Sequence, residues 1–232
     1  QMKESGLLHC LPVPFFQIRV QVCFIHLTVQ EFLAAKHMVQ TKAPKEIEDF
    51  ISCHVKHGKW HLVLQFLAGL LGKKMERYKE YRSCVLAFGK HLNPRVKVEG
   101  EDIVYAPVKD EMLMKCLRET ENEDIANEIA STSALRGVTK INTDFGRNWL
   151  SPSDWAATVF VCQHLNFLKH LSLLGILDLD CVLQITKLLR HRCIETLEFS
   201  LNRISPVQEA LKHFLGAMTT SECRINHEHC KL

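Results

Sequence analysis

A shift of 54 residues lays the last third of this chain on itself. Phe145 falls on Phe199, Asn148 on Asn202, Leu150 on Ile204, Ser151 on Ser205, Pro152 on Pro206 and Ala156 on Ala210. Asp154 meets Gln208, a similar role rather than an identity. So ordered a set of matches marks repeated units, and repetition constrains a fold strongly, because stacked units bury their apolar residues jointly. Local chemistry explains the matched positions. Serine followed by proline at the first helical position, with an acceptor side chain two residues after the proline, is a helix start. The apolar residues ahead of it alternate as a strand would, so each unit reads strand, turn, helix. Midway between the two, Leu168, Leu171 and Leu173 stand 26 residues ahead of Ile194, Leu197 and Phe199 and supply another strand. Three units of about 26 to 28 residues result. In the middle unit Ile176 stands where the asparagine should be, and Asp178 or Asp180 replaces Ser-Pro as the cap.

The run Ile194-x-x-Leu197-x-Phe199-x-x-Asn202-x-Ile204 is similar to the leucine-rich-repeat consensus, in which the asparagine bonds the backbone of the turn. Asn148 and Asn202 are the matching structural positions. The resemblance implies an α/β leucine-rich-repeat solenoid at the C-terminus, over residues 138–217, of the long, helix-containing type. The tail, 218–232, is polar without clear period, which leaves a capping repeat missing.

Toward the other end, Val20, Val22 and Phe24 alternate with Gln21 and Cys23 as a short strand, and Thr28 to Glu31 reads as a capping box opening an amphipathic helix. His26 then sits just before a helix N-terminus, a place that favours anions. Residues 46–89 read as helices joined by short turns. Trp60, Val63, Leu64, Leu67, Leu70 and Leu71 form one apolar stripe, with Gly72 placed to cap its end. Met75, Tyr78, Val85 and Leu86 form a second that stops near Gly89. A loop around 93–107 precedes two more helices, near Glu111 to Leu117 and Asn122 to Thr132.

The stretch FIHLTVQEFLAA, Phe24 to Ala35, resembles the end of the winged-helix domain of the NOD-like receptors, the NACHT-type nucleotide-switched innate immune sensors. HGKWHLVLQFLAGLLG, His57 to Gly72, is similar to their second helical domain. The resemblance implies the end of a winged helix over 1–38, a second helical domain with linker helices over 39–137, then the repeats and the tail. It also implies that His26 contacts the terminal phosphate of ADP. The parent receptor would be an ATP/ADP-switched cytosolic sensor that binds, and could hydrolyse, ATP through an upstream NACHT domain. It would contact protein partners through the repeats and self-associate on activation. The chain itself reads as a carboxy-terminal fragment, non-enzymatic and without a cofactor of its own. A ribonuclease-inhibitor-type protein-binding scaffold without nucleotide switching is the alternative, and an enzyme with a cryptic Cys-His site a weaker one.

No phosphate loop of the form G-x-x-x-x-G-K-[ST] occurs, nor a nucleophile elbow, nor H-E-x-x-H. A net charge of +3 gives no electrostatic footprint for nucleic acid. No run approaches the roughly 20 apolar residues that span a bilayer. Ten cysteines are scattered singly, several in apolar helical patterns (Cys84, Cys116, Cys162, Cys181), which points to reduced thiols and a cytoplasmic location. Two histidine and cysteine groups, Cys53/His54/His57/His61 and Cys223/His227/His229/Cys230, have helical spacing but match no complete zinc pattern, so no metal site is expected.

Overall fold

The computed structural model describes residues 8–10, 22–24, 26–92, 97–99, 102–105, 110–131, 135–142, 151–173, 179–191, 194–199, 212, 216 and 224–225. A short antiparallel pair, β1 (Leu8–Cys10) with β2 (Val22–Phe24), leads into α1 (Leu27–Thr41). Helix α2 (Pro44–His54) has proline at its first position, where the missing N–H is harmless. Its Glu46 carboxylate accepts from the Ala43 N–H at 2.9 Å. Single 3₁₀ turns at Gly58–Trp60 and Lys79–Tyr81 introduce α3 (His61–Arg77) and α4 (Arg82–Lys90). Then come α5 (Glu111–Glu119) and α6 (Glu123–Ala130), the second capped by Asn122, whose Oδ1 accepts from the Ile125 N–H at 2.9 Å.

Between α4 and α5, where a plain loop was expected, β3 (Lys97–Glu99) and β4 (Asp102–Tyr105) form a hairpin. It borders a sheet that continues through β5 (Lys140–Asn142), β6 (His170–Leu173), β7 (Thr196–Phe199) and β8 (Arg224–Ile225). From β4 onward the neighbours are parallel. Helix α7 (Pro152–Cys162) lies between β5 and β6 in sequence, and α8 (Leu179–His191) between β6 and β7. Ser151 and Pro152 open α7 as the repeat requires: the Ser151 Oγ accepts from the Asp154 N–H at 3.3 Å, and Asp154 returns the bond to the Ser151 N–H at 3.0 Å. In β6 and β7, Leu171 stands opposite Leu197, a separation of 26 residues. In β5 and β6, Ile141 stands opposite Leu171, a separation of 30. The strands are thus spaced more widely than the 54-residue shift of the helix starts, and the first strand lies ahead of Phe145.

The expected fold class needs correcting in its second half. Among the described residues eight α-helices account for most of the regular structure, and the strands are segments of only two to four residues. No α/β leucine-rich-repeat solenoid is seen among them. The physical reason lies in what α7 covers. A solenoid unit stacks on its like, whereas α7 packs on α5 of the helical block as well as on α8. One apolar cluster runs without a break from Ala35 in α1 to Ile194 ahead of β7. Asn148 and Asn202, the consensus turn residues, lie outside the described residues.

Two glycines also have other reasons for being where they are. Gly72 does not end α3, which runs on to Arg77. A Cβ there would come within 2.4 Å of the Thr120 carbonyl oxygen, so glycine lets the end of α5 close onto α3. Gly89, inside α4, leaves room for Ile129 of α6, whose Cγ1 would stand 2.5 Å from an added Cβ. Among the described residues no helix is long and apolar enough to cross a membrane.

Candidate functional site

His26 lies at the junction that the sequence marks, between β2 and α1. Its backbone is extended (φ −119°, ψ 122°) and makes it the N-cap of α1. Its carbonyl accepts from the N–H groups of Val29 and Gln30 at 3.1 and 3.4 Å. The imidazole is exposed and makes no capping hydrogen bond. The helix therefore starts earlier than a Thr28 capping box would place it, and Thr28 falls inside the first turn. No acidic side chain occupies that first turn, so no carboxylate there offsets the positive end of the helix dipole.

From this junction α1 is tied inward by apolar and cationic contacts. Phe32 meets Phe66 of α3 edge to face, ring centroids 5.5 Å apart. Lys74 of α3 donates from Nζ to the Val39 carbonyl in the last turn of α1, and the same ammonium lies 4.0 Å from the ring centroid of Tyr81. It satisfies a helix-end carbonyl while resting on an aromatic face. Further along, α3 meets α5 through Gly69 and Gly72. A cleft of about 520 Å³ opens at this junction, with Lys73 and Arg77 offset by Glu76, Glu119 and Glu121.

Helix α5 is joined in turn to α7 by an ion pair between Lys115 and Asp154. Burial raises the Asp154 carboxyl pKa, but hydrogen bonds from Lys115 and from Ser151 outweigh it and hold the group below the usual carboxylate range. Glu111, one turn before Lys115, is shifted the other way, by burial first and by the Asp154 charge second. The Ser-Pro-x-Asp helix start pointed toward Asp154; nothing local in the sequence pointed to Lys115 or to Lys74.

The first histidine and cysteine group is a packing cluster. The His54 ring lies 4.5 Å from Phe50, 5.0 Å from Trp60 and 6.2 Å from His57, centroid to centroid, and Cys53 is exposed. Among the described residues no three His, Cys, Asp or Glu side chains converge as metal ligands. Cys223, His227, His229 and Cys230 lie outside the described residues, as does the side chain of Cys181. Cys84, Cys116 and Cys162 are free and buried. Burial pushes Cys84 up to about 11 and Cys162 up to about 12, and it raises Cys116 as well.

No family model matches this chain, and no curated protein sequence is significantly similar to it.

Proposed function

We propose that this chain belongs to a NOD-like, ATP/ADP-switched innate immune receptor of the cytosol, as the helical relay between a nucleotide-binding domain and a protein-interaction region. The single observation carrying this reading is the segment FIHLTVQEFLAA together with the place of its histidine: an exposed imidazole at the N-terminus of a helix, where the backbone favours a phosphate. The packing sequence supports the relay. Helix α1, whose N-cap is His26, packs on α3, α3 on α5, α5 on α7 and α7 on α8. A shift of α1 against a bound phosphate would have to be accommodated along that series, since packed interfaces change arrangement as units. ADP and ATP are ligands of the parent receptor. Protein partners, and other copies of the receptor on activation, meet its C-terminal part.

The test is His26→Ala in the intact receptor carrying this segment. Losing a charge-assisted contact to a phosphate should weaken ADP binding by roughly tenfold or more and raise basal signalling. Unchanged ADP affinity with unchanged basal signalling would refute the reading and favour a protein-binding scaffold without nucleotide switching.

A further inference from the structure

A second cleft, of about 540 Å³, opens where α5, α6, α7 and α8 meet. Helical spacing explains its walls. Ala156 and Phe160 fall at i and i+4 on α7, followed by its C-cap Gln163 and by His164 in the turn beyond; on α8, Gln184, Lys187 and Leu188 fall at i, i+3 and i+4. The α7 face begins apolar at Ala156, which is part of the buried core, and turns polar toward its C-terminal end. Arg118 enters from the last turn of α5 and Glu123 from the first turn of α6, brought together by the tight turn through Glu121 (φ 50°).

We propose that this cleft binds a small organic anion, an anionic head on a compact apolar body. Two cations, Arg118 and Lys187, line it against one carboxylate, Glu123. Among the described residues neither cation takes part in an ion pair. Glu123 sits in the first turn of α6, where the helix end already favours a negative charge. Phe160, half-buried, offers an aromatic wall for the body of the ligand. Its ring is held edge-on by His164, centroids 5.3 Å apart. His164 is itself only 9% exposed and is fixed by a 2.9 Å bond between its Nδ1 and Asn127 Oδ1. A cleft with an aromatic wall, charged and amide lining groups and this volume falls in the size range of small-molecule pockets. Arg118 and Lys187 would take the charged head, Gln184 a remaining hydrogen bond, and Phe160 the body.

The probe is phenyl phosphate, with inorganic phosphate as head alone and phenol as body alone, titrated into the isotope-labelled chain and followed by amide chemical shifts. Saturable shifts at α7 and α8 residues around the cleft are expected for phenyl phosphate, with the two half-probes at least about tenfold weaker, since each lacks one set of contacts. Arg118→Gln with Lys187→Gln should abolish saturation by either phosphate while leaving the melting temperature unchanged. Phe160→Leu should weaken phenyl phosphate and leave inorganic phosphate as it was. Absence of saturable shifts at these residues would overturn the proposal, as would equal binding by the double variant.

Discussion

Replacing Gly72 with alanine pits two effects of opposite sign against each other. Within a helix, glycine to alanine normally stabilises by about 1 kcal/mol, through lower backbone entropy in the unfolded chain. At position 72 the new methyl would stand 2.4 Å from the Thr120 carbonyl oxygen and 2.9 Å from its Cα. Both are backbone atoms at the end of α5 and cannot rotate away, so α3 and α5 must separate. Taking roughly 3 kcal/mol for such overpacking leaves a net loss of about 2 kcal/mol, or a melting temperature about 4–8 °C lower for a chain of this size. Gly69 is the internal control. It lies one turn earlier on the same helix and faces the same element, but its added Cβ would meet only Glu119, with the carbonyl oxygen at 3.4 Å. There Gly69→Ala should be neutral or gain up to about 1 kcal/mol. Thermal denaturation of both variants measures the difference. If Gly72→Ala melted at or above the parent temperature, the close approach of α3 and α5 would be wrong.

The ion pair between α5 and α7 should be visible in the pH dependence of stability. Lys115→Met leaves Asp154 buried without its cation, and because the Lys115 side chain is 26% exposed the cost should be about 2 kcal/mol, below that of a fully enclosed pair. The Asp154 carboxyl is held below the usual range, so its contribution is present above that range and is lost as pH falls through the lowered folded value. Urea unfolding of Asp154→Asn should therefore converge on the parent chain in strong acid, and a constant gap at all pH values would contradict the assignment. Among the four free cysteines described, a bulky maleimide should label Cys53 in the native chain and reach Cys84, Cys116 and Cys162 only on unfolding. Peptide mass mapping reads this directly, and equal labelling of all four would count against the core as described.

Helices within 46–89, and those near 111–117 and 122–132, were legible because their apolar residues recur with the helical period, although the boundary between α3 and α4 was not. The Ser-Pro start of α7 and the strand at His170–Leu173 were legible for the same local reasons. What failed was everything set by a distant neighbour. Gly72 has the local look of a helix end, and only the position of Thr120 explains it. The hairpin of β3 and β4 carried a signal that a count of helix formers passes over: Val98, Ile103 and Val104 are β-branched and lie in the paired residues of the two strands. The repeat pattern was read as a self-contained solenoid, whereas α7 shares its packing surface with α5. His26 was placed correctly in the chain, but its exposure could not be inferred from the apolar residues around it.

The order of the six-stranded sheet has a consequence for how the molecule behaves in a crowd. A parallel sheet leaves a row of free amide and carbonyl groups along each border, which can recruit a further chain and start edge-to-edge polymerisation. Among the described residues one border is β3, three residues turned antiparallel to its neighbour, and the other is β8, two residues long. Neither strand is long enough to template much of an incoming one. The hairpin that local reading passed over as a loop thus serves as a terminus, ending the sheet in a direction and at a length that discourage its growth.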